Sequence, residues 1–211
     1  MASITAIILT RNEKDFIEDC IRSIQKITER IVVVDSFSED NTVELAKNMG
    51  AEVYQHEFFN YSKQYKYAVE IANVKTKWIL RIDADERLTS ESAVELEQLC
   101  NDNENTNVTG IVLRFYNMFL AKPMYHGGMY PWKKLSVYKT GIGDIEDRNM
   151  DEHIILSSGT VIETKKDSKH LAYRGLTFFT NKSNWYSTRE AMDYFEQKKV
   201  SKKNANFKTR I

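Results

Sequence analysis

Short apolar runs alternate along the first hundred residues with longer stretches in which apolar positions recur every three or four residues. Residues 4 to 9 are an almost unbroken apolar run, as in a strand buried on both faces. Phe16, Ile17, Cys20, Ile21, Ile24 and Ile27 then follow the 3.6-residue period of a helix packed on one side. Ile31 to Val34 predicts a second strand ending at Asp35. Thr42 to Met49 predicts a short helix stopped by Gly50, and Ala51 to Tyr54 a third strand. Tyr65, Ala68, Val69 and Ala72 mark another helix, Trp78 to Ile82 a fourth strand, and Ser90 to Cys100 a helix with Ser90 at its N-cap. Strands alternating with helices predict an α/β fold with a mostly parallel central sheet, doubly wound, whose ligands sit at the carboxyl ends of the strands.

The pattern changes after the polar run Asn101 to Asn107. Gly110 to Tyr116, Leu135 to Lys139 and Val161 to Thr164 read as strands without regular helices between them, so the second half is α+β in character. Pro123, Gly127, Gly128 and Pro131 mark a long loop between two of these strands, of a length that tends to carry function. Asn184 to Lys198 predicts a final amphipathic helix with Trp185, Thr188, Met192 and Phe195 on one side. The expected organisation is one domain over residues 1–195, with a ligand-binding half (1–100) and a second half (101–195), followed by a tail (196–211).

The chain has 211 residues, 42% of them hydrophobic, with 30 Lys and Arg against 30 Asp and Glu. That balance fits one globular domain and excludes disorder. A chain of this size buries on the order of 70% of its unfolded surface, so a metal would serve chemistry rather than folding. Cys20 and Cys100 sit in helical patterns without a CxxC pair, which argues against thiol chemistry. The first apolar run is too short for a signal-peptide core, and no stretch approaches the roughly 20 apolar residues of a membrane span, so a cytoplasmic protein is expected. Charge is unevenly spread: residues 161–211 carry twelve Lys and Arg against five Asp and Glu. The end is wholly basic, with Lys198, Lys199, Lys202, Lys203, Lys208 and Arg210.

Polar residues gather where the predicted strands end. Thr10-Arg11-Asn12-Glu13 follows the first, Asp35-Ser36 the second and Asp83-Ala84-Asp85-Glu86 the fourth, so three strand ends converge on one crevice. Two carboxylates at i and i+2 beyond a buried strand can hold a divalent cation while leaving positions for phosphate and water. An Asp-Ala-Asp is also an ordinary solvated turn. Neither GxGxxG nor GxxxxGK[ST] occurs, which argues against a dinucleotide oxidoreductase and a P-loop NTPase. The acidic crevice makes nucleic acid a poor partner.

Thr5 to Glu13, Val32 to Thr42 and Ile82 to Glu86, in that order and spacing, resemble the nucleotide-binding half of inverting glycosyltransferases of family 2. Within that family the likeness is to bacterial lipopolysaccharide-core and capsule β-glycosyltransferases, and it extends through Tyr130-Pro131-Trp132 and His170 to Arg174. The resemblance implies a GT-A (Rossmann-like) nucleotide-diphospho-sugar transferase fold with an α+β acceptor half. It implies that Thr10, Asn12 and Glu13 hold the nucleoside and that Asp35 accepts from the base. It further implies that Asp83 contacts the sugar nucleotide and that Asp85 ligates Mn2+ or Mg2+. Glu86 also suits the start of the following helix.

Direct displacement at an anomeric carbon needs a base opposite the leaving diphosphate. Asp151-Glu152-His153 resembles the family's short acidic motif, with Glu152 aligned to its glutamate and Asp151 where relatives carry His, so either acid can be the base. In the resemblance His170 completes the metal site or approaches the diphosphate, and Arg174 neutralises the departing nucleotide. Tyr130 and Trp132 suit stacking on an acceptor sugar. The implied activity is metal-dependent transfer from a nucleotide-sugar donor, UDP-linked, to a hydroxyl of a surface glycan or lipid-linked saccharide. The basic tail adds an expected attachment to an anionic membrane surface. A sugar-phosphate nucleotidyltransferase and a non-catalytic α/β sugar-binding or scaffold domain are the competing readings.

Overall fold

The computed structural model describes residues 2–128, 130–147, 152–171 and 175–208, with the backbone alone for Asp193 and residues 196–208. Its elements in chain order begin with β1 Ile4–Thr10, α1 Ile17–Ile24, β2 Arg30–Asp35, α2 Thr42–Asn48, β3 Glu52–Gln55, α3 Tyr61–Ala72, β4 Trp78–Arg81, β5 Glu86–Arg87 and α4 Ser90–Asp102. There follow β6 Val108–Phe119, β7 Lys122–Met124, β8 Trp132–Lys139, β9 Gly143–Ile145, β10 Ile154–Leu156, β11 Thr160–His170 and α5 Leu176–Lys208.

One sheet runs in the order β3-β2-β1-β4-β8-β6-β11-β5, with β7 paired to β6, and β9 pairs separately with β10. The first four strands in this order are parallel, as the alternation predicts. β8 enters antiparallel between β4 and β6, and β11 then runs parallel to β6. The sheet is therefore mixed. Burying an Ile or Val side chain is worth about 1.5–3 kcal/mol. The fully buried Ile4, Ile7, Ile8, Val32, Val33 and Val34 therefore fix the register of β1 against β2. Two apolar layers result. Ile17, Cys20, Ile21, Ile24 and Leu96 pack with Leu80, Leu113 and Phe115 on one face, while Tyr65 and Ala68 of α3 pack with Ile7, Val34 and Tyr138 on the other.

Several element ends differ from expectation. The N-cap of α4 is Thr89, whose side chain accepts from the Ser92 amide while Ser92 Oγ accepts from the Thr89 amide, a reciprocal cap one residue earlier than Ser90. Glu86 does not begin that helix. It forms β5 with Arg87, antiparallel to Lys169 and His170 at the end of β11. The final helix starts at Leu176 rather than Asn184 and absorbs the expected tail from residue 196 as far as Lys208. Within it the hydroxyls of Thr180, Ser187 and Thr188 are satisfied by carbonyls four residues back. Trp185, Met192 and Phe195, expected on one side of it, are exposed.

Candidate active site

Two loops at the carboxyl ends of β1 and β2 form the first wall, stapled by the polar residues that stand out in the sequence. Asn12 and Phe37 both have positive φ, 56° and 54°, in the two loops. The Asn12 amide donates to Ser38 Oγ at 2.8 Å, and Asn12 Oδ1 accepts from the Glu39 amide at 2.8 Å. The Glu13 amide donates to Thr42 Oγ1 at 2.7 Å. Asp35 is buried beneath these loops. Its oxygens accept from Thr10 Oγ1 at 3.0 Å, from the amide and hydroxyl of Ser38, and from Gln55 Nε2 at 3.4 Å. Its observed role is thus to organise the loop, and a base N–H would share or displace one of these donors. A cleft of about 220 Å³ opens above, lined by Thr10, Arg11, Glu13, Ser36, Phe58, Tyr61 and Trp185 of α5 among others.

The second wall is acidic and is completed by the far half of the chain. Asp83 and Glu86 share the ammonium of Lys134 on β8, at 2.6 and 2.8 Å. The Asp83 amide donates to Glu86 Oε2 at 2.9 Å. Burial pushes the Asp83 carboxyl up, but Lys134 and Arg81 together draw it below the usual carboxylate range. Glu86 is fully enclosed, and its burial, reinforced by Asp83 and opposed by Lys134, pushes it up to about 7. Lys134 is held above its ordinary value by the two carboxylates against the cost of its burial.

The β5–β11 pairing sets His170 beside the acidic turn, its Nε2 3.8 Å from Asp85 Oδ2. His170 Nδ1 donates to Asn117 Oδ1 on β6 at 2.7 Å, which leaves Nε2 as the free lone pair. Burial lowers the His170 pKa despite the pull of Asp85, favouring the neutral ring that a metal requires. A carboxylate oxygen and an imidazole nitrogen facing each other at this spacing suit a divalent cation such as Mn2+. Among the described residues no group of three His, Cys, Asp or Glu converges, so other coordination positions would fall to phosphate and water.

Trp132 belongs to this wall, its ring 4.7 Å from that of His170. Tyr130 does not. Its hydroxyl donates to Asp167 at 2.7 Å beside Arg114, and those residues alternate onto the face of β6 and β11 opposite Asn117 and His170. Glu152 forms a close, buried ion pair with Arg81. Asp151 and Arg174 lie outside the described residues. Sequence reasoning missed Lys134, Asn117 and Arg81. The signal for Lys134 was its position two residues after Trp132 in what proves to be one strand, since side chains at i and i+2 share a face.

The profile of glycosyl transferase family 2 matches residues 5–150, more than half of the sequence, and the chain belongs to that family. It is 27% identical over 216 residues to an uncharacterized glycosyltransferase of Rickettsia prowazekii, an alignment covering 99% of this chain and 72% of that protein. Among solved structures, the mannosyltransferase PcManGT of Pyrobaculum calidifontis in complex with GDP-Man and Mn2+ superposes with a TM-score of 0.60 at 14% identity, over 92% of this chain and 64% of that one. TarS 1-349 of S. aureus in complex with UDP-GlcNAc superposes with a TM-score of 0.57 at 15% identity, over 84% and 60% of the two chains. The chain thus spans less than two thirds of either solved protein. Their likeness establishes the GT-A fold. Family membership decides against the nucleotidyltransferase reading.

Proposed function

We propose that the protein is a metal-dependent inverting glycosyltransferase that moves a sugar from a nucleotide-diphosphate donor, a UDP-sugar, to a hydroxyl of a surface glycan or lipid-linked saccharide. The observation that carries this reading is the convergence of Asp85, His170 and the Asp83–Lys134 pair beside two stapled loops at the ends of parallel strands. Thr10, Asn12 and Glu13 line the nucleoside end, with Asp35 fixing their loop and accepting from the base. Asp83 contacts the donor sugar, and Arg174 offsets charge on the diphosphate.

Asp85 and His170 would hold the cation, which supplies charge stabilisation to the leaving diphosphate. The acceptor oxygen attacks the anomeric carbon as the bond to the diphosphate breaks, its electron pair leaving on the phosphate oxygen. The acceptor proton passes to Glu152, with Asp151 the adjacent alternative, and Trp132 forms an apolar wall for the acceptor ring.

Calorimetric titration of UDP, with GDP and CMP alongside, in the presence and absence of Mn2+ tests the donor and metal together. Both UDP and GDP are included because TarS holds UDP-GlcNAc and PcManGT holds GDP-Man. UDP should bind only with Mn2+, and Asp85→Asn should weaken that binding by about 100-fold or more. Folded protein that binds no nucleotide with Mn2+ present would return the molecule to the scaffold reading. Attachment to anionic lipid through the basic residues from Lys198 to Arg210 predicts sedimentation with phosphatidylserine vesicles that declines as salt is raised. Among the described residues no helix is long and apolar enough to cross a membrane.

A further inference from the structure

Arg81 is a charged residue in a strand whose four positions, Trp78 to Arg81, are all buried. Alternation along β4 turns it to the α3 side of the sheet, where its guanidinium lies 5.3 Å from the Tyr65 ring centre. Tyr65 is itself fixed by a 2.8 Å hydrogen bond between its hydroxyl and that of Tyr138. Arg81 Nη2 donates to Glu152 Oε1 at 2.5 Å and Nη1 to the Glu152 carbonyl at 3.3 Å. The two side chains are only 9% and 6% exposed. The Nε of Arg81 is buried and has no partner among the described residues.

Such a pair is a poor device for stability. Desolvating two charges costs about as much as their attraction returns, and apolar residues of similar volume often do as well or better. An unsatisfied buried N–H adds a further cost of about 1–3 kcal/mol. What the pair provides is geometry. The guanidinium grips one carboxylate oxygen and the backbone carbonyl of the same residue, so both ends of Glu152 are held. Oε2 makes no hydrogen bond among the described residues. Glu152 is also within electrostatic reach of Tyr61, which lines the cleft, and of Tyr186 on α5.

We propose that Arg81 is a positioning residue for Glu152, holding Oε1 so that Oε2 alone is presented to the acceptor hydroxyl. This rests on the reading of Glu152 as the base. Arg81 is engaged by Glu152 and Tyr65 rather than by the nucleoside loops, Asp85 or His170, and because its charge also bears on Asp83, UDP affinity is read beside turnover.

The test compares the full chain with Arg81→Lys, Arg81→Gln and Glu152→Gln by two readouts. The first needs no knowledge of the natural donor: in crystals of Arg81→Gln the Glu152 carboxylate should leave its wild-type position, while Arg81→Lys keeps it near. An unmoved carboxylate in Arg81→Gln overturns the proposal. The second is hydrolysis of UDP-glucose, UDP-galactose, UDP-GlcNAc and GDP-mannose with Mn2+, water serving as acceptor. Arg81→Gln should lose about 100-fold in kcat with KM and calorimetric UDP affinity within about threefold of wild type, and Arg81→Lys should recover part of the loss. Parallel loss of kcat and UDP affinity would mean that Arg81 only supports the fold. Full hydrolysis by Glu152→Gln would sink the base assignment itself. Loss in Glu152→Gln with undiminished turnover in Arg81→Gln would sink the positioning role alone.

Discussion

In the first half of the chain the crevice is made of consecutive residues in two loops: backbone amides of 12, 13 and 39 meet side chains 26 to 29 positions away on the neighbouring loop, and that of 38 meets Asp35 in its own. In the second half it is made of single side chains from separate strands, with Asn117 from β6, Trp132 and Lys134 from β8 and His170 from β11. Parallel strands joined by helices deliver whole loops to one edge of a sheet. Beyond them β8 enters antiparallel, and β6, β8 and β11 contribute separate side chains from the strands themselves rather than whole loops. The first arrangement suits a large ligand gripped along its length, and the second suits a few atoms held at fixed separations.

The contrast can be broken most strongly at Asn117. Asn117→Ala should weaken Mn2+ binding by about 10–100-fold, read by electron paramagnetic resonance titration, because His170 then loses the bond that fixes its ring. Its melting temperature should stay close to that of wild type. Equal Mn2+ affinity in the variant would show that His170 needs no help from β6.

Glu86 gives a smaller, pH-dependent effect. Its folded-state pKa of about 7 lies above the ordinary 4.5, so the stability it contributes is full below about 4.5 and is lost as pH rises through about 7. Gln stays neutral throughout. In metal-free protein Glu86→Gln should therefore melt higher relative to wild type at pH 8 than at pH 5, and a constant difference would contradict the buried, pressured carboxyl. The smallest expected change is in the first half. Ser38→Ala removes the hydroxyl that donates to Asp35 and accepts from the Asn12 amide, keeping the backbone bond to Asp35, and should cost about 1–2 kcal/mol in denaturant unfolding while leaving Mn2+ affinity unchanged.

The same contrast explains what could be read from the sequence. β1 to β4 and their helices follow from periodicity because each is specified locally by which face it buries, and the three acidic and polar strand ends were visible for the same reason. β5 was not visible. Two residues carry no period, and Glu86–Arg87 is a strand only because Lys169 and His170 come to lie beside it. Lys134 stood just outside the strand expected from Leu135, and Asn117 just beyond the one expected to end at Tyr116. Tyr130 was visible as an aromatic in a functional-looking loop, but the face it occupies depends on Asp167 and Arg114, which no local pattern links to it. The start of α5 was hidden because its hydroxyl-rich first turns look like loop until their side chains bond within the helix.

The pairing of β5 with β11 also bears on the order in which a growing chain becomes competent. Asp85 leaves the ribosome well before His170, and at about 5–20 residues per second the interval between them lasts on the order of 4–17 seconds. During that time the loops of β1 and β2 can close on each other, yet the carboxylate has no imidazole opposite it. A nascent protein therefore gains the stapled loops of β1 and β2 first and the Asp85–His170 pair only when the last strand of the sheet has docked.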